Sequence, residues 1–379
     1  MTTTHYFSHF TGLQILRFVA AMLVVVMHTS EAYLLRIEGT SGSQYWDGGA
    51  AGVDLFFVIS GFVMALSTAR IPAGSAARLN AAWVFMKRRF VRIAPLYWFY
   101  LLLKTALVLA LPALALRTSI DPEHLLASLL FVPAMSPWGL IQPVLPVGWT
   151  LNFEMLFYGV FALGIALGLA RIWFTLVLLG LVFAAGQLFP EITLLRFYSQ
   201  TLIFEFVLGI AVAQIYMKYR AAAPEAGLGM IAAGAVVMFL VDWGVDADRF
   251  STWGIGAALI VMGAVWLEPW IAGSKNAPRL SFLGDASYSI YLSHTFIVPG
   301  AVLLLKSVGV ESPLVVMLTV CILVVVAGCY SYVWLERPLT GLFKRILLVP
   351  SSRPALAGVE EETTLRRSIE LKARDHESR

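Results

Sequence analysis

The sequence predicts an all-α polytopic membrane protein with about ten transmembrane helices. Of its 379 residues, 59% are hydrophobic and only 13% are charged, and the mean hydropathy is +0.80. Soluble domains carry about twice that fraction of charged residues. Apolar runs of about 20 residues, the length that crosses a hydrocarbon core of about 30 Å, recur along the whole chain. The composition therefore excludes a soluble globular protein.

Ten apolar segments in chain order are predicted as membrane spans. Between the third and the fourth, the proline-rich stretch 113–148 predicts an outward loop with a short helix near 121–131. Residues 1–345 are expected to form one membrane-embedded domain, followed by a highly charged, disordered cytoplasmic tail at 346–379. The ten spans are predicted at about 12–30, 51–69, 93–112, 149–170, 172–189, 199–217, 227–241, 251–270, 286–306 and 313–335.

Positive charge falls mainly in alternate loops, which predicts the orientation of the chain, because cytoplasmic loops are enriched in Lys and Arg. With ten spans, both termini are expected in the cytoplasm of a multi-pass plasma (inner) membrane protein. The net charge of +4 is then a topological signal, and no nucleic-acid partner is expected. The inward basic residues are Arg70, Arg78, Lys87, Arg88, Arg89, Arg92, Arg171, Lys218, Arg220, Lys275, Arg279 and Arg337, whereas the outward ones are Arg36, Arg117, Arg196, Arg249 and Lys306.

The first span contains two polar residues, Arg17 and His28, in an otherwise apolar run. Eleven residues of helix return to within roughly 20° of the starting direction and cover roughly 16 Å. Both side chains are therefore predicted on one face, three turns apart. Charged and titratable groups inside a membrane helix are costly and usually face the bundle interior, where they serve function. This helix is expected to line a functional site.

Two acidic residues, Asp54 and Glu154, are expected at a depth similar to that of His28. Either carboxylate could fix the tautomer of the imidazole and raise its basicity. Thr150, Glu154 and Tyr158 recur at i, i+4 spacing and predict a polar stripe on the fourth span. The alternatives are that Asp54 and His28 merely contact water at the interface, and that Glu154 is a buried residue satisfied by a neighbouring hydroxyl.

Two further groups have both a functional and a structural interpretation. Tyr291 and His294 share an arc of about 60° with Ser287 on the ninth span, although a structural hydrogen bond would also explain His294. Arg89 and Arg92, at i, i+3 spacing, point the same way. Guanidinium groups suit the phosphates of a nucleotide-like cofactor, whereas a positive-inside anchor with an aromatic belt is the alternative.

Taken together, these segments resemble the integral-membrane acyltransferase family 3 over about residues 10–340. The family's usual Ser after Trp149 is Thr150 here, which keeps the hydroxyl. The resemblance is specific because the motifs occur in the family's order. They are Arg-x10-His (Arg17, His28), Asp-x-Phe-Phe-x-x-Ser-Gly (Asp54 to Gly61), Arg-x-x-Arg (Arg89, Arg92), the element from Trp149 to Tyr158, Ser-Tyr-x-x-Tyr-x-x-His (Ser287 to His294) and Glu-Arg-Pro (Glu336 to Pro338).

The resemblance implies transfer of an acetyl, succinyl or similar group from acyl-CoA to a surface or lipid-linked glycan, without a metal. It implies that Arg89 and Arg92 hold the phosphates of acyl-CoA and that Arg17 contacts the pantetheine arm or stabilises developing charge. His28 would act as general base or carry a transient acyl group.

The same resemblance gives roles to the remaining motif residues. Asp54 or Glu154 is expected to orient the His28 base. Contacts to substrate are expected from Trp149, Tyr158, Tyr291 and His294.

A channel or secondary transporter is the alternative function, because the same polar side chains could carry protons or an anion. The sequence lacks visible half-repeats and paired Gly/Pro-broken helices, which disfavours a transporter. The acyl group, the acceptor position and the oligomeric state are not predicted.

Overall fold

The computed structural model describes residues 10–40, 46–69, 74–111, 120–169, 171–219, 223–241 and 248–348. Over these ranges the chain is helical, and its one β-bridge joins Met135 to Ile141. The predicted all-α fold class is therefore confirmed. The tail predicted at 346–379 lies outside the described residues from 349 onward.

The helices of the described ranges are numbered in chain order. Their bounds are α1 Thr11–Tyr33, α2 Ala51–Ser67, α3 Ser75–Ala110, α4 Pro122–Leu129, α5 Trp149–Leu167, α6 Arg171–Leu188, α7 Thr193–Tyr198, α8 Glu205–Lys218, α9 Pro224–Phe239, α10 Ile255–Trp266, α11 Glu268–Ala272, α12 Ala277–Asp285, α13 Ser287–Ser307, α14 Pro313–Ser331 and α15 Arg337–Leu347.

Seven helical segments in the described ranges are long and apolar enough to cross a membrane. Three shorter apolar helices, at Ile172–Leu188, Pro224–Phe239 and Phe250–Trp266, accompany them. The protein is thus a multi-pass membrane protein. The number of ten spans and the cytoplasmic location of both termini stay predictions.

Helix α3 is much longer than the predicted span 93–112. It runs for 36 residues and contains Pro95 in its interior. The segment before the apolar run is rich in Ala and Arg, which are strong helix formers, so the helix begins well before the hydrophobic stretch. At about 1.5 Å per residue α3 extends roughly 54 Å. Arg89 and Arg92 therefore lie on one continuous helix and not in a loop.

Glycines bring helices of the core into close approach. A Cβ on Gly61 of α2 would lie 2.1 Å from the carbonyl oxygen of Phe206, and one on Gly209 of α8 would lie 2.1 Å from that of Val58. Small residues at such crossings are typical of helix packing in membranes. Gly61 and Gly209 therefore permit α2 and α8 to pack closely.

Both ends of α1 are hydrogen-bonded to distant parts of the chain. At its start, the two carboxylate oxygens of Glu268 each accept a hydrogen bond of 2.7 Å, from the backbone N–H groups of Thr11 and Gly12. At its far end, the Tyr33 hydroxyl donates to the Glu311 carbonyl at 2.8 Å. The first backbone N–H groups of a helix have no partner within the helix, so Glu268 supplies acceptors for those of Thr11 and Gly12. Directions in the bundle are given by the N-terminal end and the C-terminal end of α1.

The predicted orientation can be tested with two exposed serines. Ser75 begins α3 and Ser307 ends α13, and both are exposed. In a variant with Cys321 and Cys329 replaced by serine, we expect Ser307→Cys to react with a membrane-impermeant thiol reagent in intact cells. Ser75→Cys should react only after permeabilisation, because basic loops stay in the cytoplasm. The opposite labelling pattern would reverse the orientation.

Candidate active site

A buried cavity of about 150 Å³ lies where α1, α2, α3, α5 and α13 meet. It contains six of the ten side chains that the sequence predicted as site residues. Its lining consists of Arg17, Val53, Phe56, Phe57, Ile59, Ser60, Val63, Arg89, Arg92, Ile93, Thr150, Leu151, Glu154, Tyr158, Tyr288 and Tyr291.

A second cavity, of about 120 Å³, adjoins the first. It shares Arg17, Ile59 and Val63 with the main cavity and is also lined by Phe10 and Gln14, near the start of α1. Gln14 accepts a hydrogen bond of 3.1 Å from the Arg17 guanidinium. The two cavities therefore lie next to each other, the second near the N-terminal end of α1 and the first in the bundle interior.

Positive charge exceeds negative charge in the main cavity. Three guanidinium groups face one carboxylate, that of Glu154. Arg92 forms a salt bridge with Glu336, which is 1% exposed and also accepts a 2.7 Å hydrogen bond from Ser289. Among the described residues, Arg17 and Arg89 have no carboxylate within ion-pair distance. The cavity is therefore suited to an anionic ligand.

Arg89 and Arg92 were predicted as one equivalent pair of phosphate ligands, and the structure separates them. Arg92 is already neutralised by Glu336. Among the described residues Arg89 donates only to the Ser67 hydroxyl, at 3.2 Å, and it lies over the Phe85 ring. Arg89 is thus the residue of the pair whose charge is available to a ligand.

Glu154 faces the cavity and not His28. It accepts a 2.8 Å hydrogen bond from the Ser60 hydroxyl. Nearby, the Thr150 hydroxyl donates to the Val147 carbonyl at 3.0 Å and lies 3.1 Å from the Tyr291 hydroxyl. The hydroxyl that replaces the family's serine is therefore part of the cavity wall.

His28 lies outside the cavity lining, towards the C-terminal end of α1. Its Nδ1 is 3.0 Å from the Val24 carbonyl oxygen. Because a carbonyl only accepts, Nδ1 carries the hydrogen and Nε2 keeps its lone pair. His28 therefore presents a basic nitrogen, and its ring lies against that of His294, with centroids 5.0 Å apart.

The structure places Asp54 beside Arg249 and not beside His28, where the sequence predicted it. Both oxygens of the fully buried Asp54 accept hydrogen bonds from Arg249, at 2.9 Å and 2.7 Å. The start of α2 lies beside Ala20 of α1 and not beside His28, because a Cβ on Gly52 would lie 2.2 Å from the Ala20 carbonyl oxygen. Ala20 precedes His28 by eight residues, or roughly 12 Å of helix.

Glu154 does not contact His28 either. Its partner Ser60 lies further along α2 than Asp54, away from His28. Among the described residues, no carboxylate oxygen lies within 4.0 Å of a His28 ring nitrogen.

The predicted substrate-contacting residues divide into two groups. Tyr158 and Tyr291 line the cavity. Trp149 instead packs edge-on against Phe153, with centroids 5.9 Å apart, and His294 lies behind Tyr291 against His28.

Sequence reasoning missed the ion-pair roles of Arg249 and Glu336. Each of these residues appears in the sequence as a single charged residue next to an apolar helix, and this pattern does not identify the residue with which it pairs.

Comparison with known proteins gives the family. A family model described as an acyltransferase domain matches residues 10–334. The chain belongs to this acyltransferase family. The exopolysaccharide production protein ExoZ of Rhizobium meliloti (strain 1021) is 39% identical over 301 residues, which cover 77% of this chain and 89% of that protein. No solved structure matches the chain.

Family membership makes the protein an acyltransferase that transfers groups other than amino-acyl groups. The match spans the cavity residues and the histidine pair alike, from Arg17 to His294. The arrangement therefore places an arginine-lined cavity and a separate basic imidazole within one acyltransferase domain.

Proposed function

We propose that this acyltransferase moves an acyl group from acyl-CoA to a hydroxyl of a cell-surface or lipid-linked glycan. The observation that carries the proposal is the excess of arginine in the cavity of a bundle whose other polar centre is a basic histidine. The glycan acceptor is suggested by the relative whose name refers to exopolysaccharide production. The protein would act in the plasma (inner) membrane, with the N-terminal end of α1 in the cytoplasm.

Arg89 and Arg17 are the proposed donor ligands. Acyl-CoA carries several phosphate charges on a long flexible arm, and both guanidinium groups lack a carboxylate partner among the described residues. Arg17 lies roughly 16 Å from His28 along α1. It therefore holds the donor in this proposal and does not stabilise charge at a reaction centre beside His28. The arm would run past Tyr291, which lines the cavity and contacts His294.

The reaction follows from the free Nε2 of His28. That nitrogen takes the proton of the acceptor hydroxyl while the oxygen attacks the thioester carbonyl carbon. The new C–O bond forms, the C–S bond breaks, and the proton finally neutralises the departing CoA thiolate. The acceptor would approach from the C-terminal end of α1, opposite to the donor.

The donor site predicts different results for two neighbouring arginines. Arg89→Lys keeps the charge but loses the planar fork that binds phosphate bidentately. We expect it to weaken acyl-CoA binding by about 1.5–3 kcal/mol, or roughly ten- to a hundred-fold, the scale of a hydrogen bond to a charged group. The matched control is Arg88→Lys, because Arg88 is exposed and lies outside the cavity lining.

Isothermal titration of CoA into detergent-solubilised protein measures both variants. Equal affinities for the two would return Arg89 to the role of a membrane anchor.

Mass spectrometry of surface and secreted glycans tests the overall function. A deletion strain is expected to lack the mass of one acyl group that the wild-type gene restores. Identical glycan masses with and without the gene would exclude a glycan acceptor.

A further inference from the structure

The imidazole of His294 connects His28 to the donor cavity. Its ring centroid lies 5.0 Å from that of His28, with the ring planes inclined by 39°. On its other side it contacts Tyr291, one turn earlier on α13, at 5.8 Å between centroids. Because Tyr291 lines the cavity, His294 lies between the base and the space assigned to the donor.

Stability does not explain an imidazole at this position. His294 is 1% exposed, and neither ring nitrogen reaches hydrogen-bonding geometry with any described residue. The carbonyls of Ile290 and Tyr291 on its own helix are near but do not complete a hydrogen bond. A buried polar group without a partner costs about 1–3 kcal/mol, which an apolar ring of similar shape would avoid. The imidazole therefore makes the fold less stable than an apolar ring would at this position.

The proposed reaction needs a second proton acceptor beside His28. When Nε2 takes the hydroxyl proton, the ring becomes an imidazolium whose Nδ1–H is held by the Val24 carbonyl. Catalytic histidines are usually balanced by a carboxylate, but Asp54 is bound by Arg249 and Glu154 by Ser60. The exposed Glu31 acts on His28 through its charge, without an ion pair within 4.0 Å. Within the described ranges, His294 is the titratable side chain whose ring lies against that of His28.

We propose that His294 is a proton-relay residue that acts through His28. This inference rests on the proposed function, because it takes His28 as the base. The proton passes from the acceptor hydroxyl to His28, from His28 to His294, and on towards the cavity, where it neutralises the sulfur of the departing CoA thiolate. Neither imidazole holds the proton at the end, and no other reactant is consumed. His294 then needs no contact with the acceptor.

Two substitutions separate a relay from packing and from hydrogen bonding. His294→Phe keeps a ring of similar shape, and His294→Gln keeps hydrogen-bonding groups that do not titrate. We expect both to lower kcat about a hundred-fold, within the range of general acid–base catalysis, with an unchanged KM for acyl-CoA and an unchanged acceptor KM. If the phenylalanine variant does not fold, the glutamine variant decides.

The solvent isotope effect on kcat supplies a measurement that packing does not alter. Slowing proton transfer should make the ratio of kcat in H₂O to kcat in D₂O larger in His294→Gln than in the wild type. An unchanged ratio, a near wild-type kcat in either variant, or a loss confined to the acceptor KM would overturn the relay. Identical glycan masses with and without the gene would instead refute the proposed function, so the two failures are distinguishable.

Discussion

Replacing His28 with alanine is expected to abolish acyl transfer while the protein still inserts and binds donor. The variant removes the unprotonated Nε2 whose availability follows from the Nδ1–H bond to Val24. General bases contribute about 10²–10⁴-fold to rate, so turnover should fall by at least two orders of magnitude. Removing a polar group from a membrane helix does not hinder insertion. Donor binding should persist because His28 lies outside the cavity lining.

A neighbouring substitution provides the control for this experiment. Thr29 follows His28, is fully buried and donates to the Val25 carbonyl at 2.7 Å, so it is a polar side chain of the same helix without a proposed chemical role. We expect Thr29→Val to retain acylation. The measurement is the acyl content of glycans from cells that express equal amounts of each variant. Near wild-type acylation by His28→Ala would eliminate the imidazole as the base.

Replacing Arg249 with methionine is expected to produce the largest loss of stability. Asp54 is fully buried and both of its oxygens depend on Arg249, which also donates to the Ala50 carbonyl at 2.9 Å. Glu205, fully buried on α8, places a second carboxyl group in the same cluster. Removing one partner of a buried ion pair costs about 3–5 kcal/mol, because the other charge is left uncompensated. The Arg249 side chain is 27% exposed, so the loss should lie at or below the lower end of that range.

Thermal unfolding in detergent measures this effect against two further variants. The double variant Asp54→Asn with Arg249→Met removes both charges, so it should lose less stability than Arg249→Met alone. Arg279→Met removes an exposed arginine and should leave the unfolding midpoint unchanged. If Arg249→Met unfolds at the same temperature as Arg279→Met, the ion pair does not hold α2 in place.

The periodicity of polar residues predicted much of the site. Arg17, Glu154 and Tyr158 were identified because each interrupts an apolar helix, and charged groups at such positions face the interior. The structure gathers them around one cavity together with Arg89 and Tyr291. The helical period determines which residues of one helix share a face, and this part of the prediction needs no knowledge of how the helices pack.

Depth and pairing between helices could not be predicted in the same way. Sequence places Asp54 near the start of its helix, but only the contact between Gly52 and the Ala20 carbonyl shows how deep that start lies. Which carboxylate meets which arginine likewise depends on helix packing, so the pairs of Asp54 with Arg249 and of Glu336 with Arg92 were missed. The length of α3 was underestimated because hydropathy detects the membrane span and not the helix.

The central claim is that the cavity delivers an acyl group from acyl-CoA to a glycan hydroxyl. The direct measurement uses purified protein in liposomes, acyl-CoA labelled in the acyl group and glycan isolated from the deletion strain. We predict that the amount of label on the glycan equals the amount of free CoA thiol released. The Arg89→Lys variant should also require more acyl-CoA for half-maximal transfer than the Arg88→Lys variant. Release of CoA without labelled glycan, or no reaction while the protein binds CoA, would contradict the account.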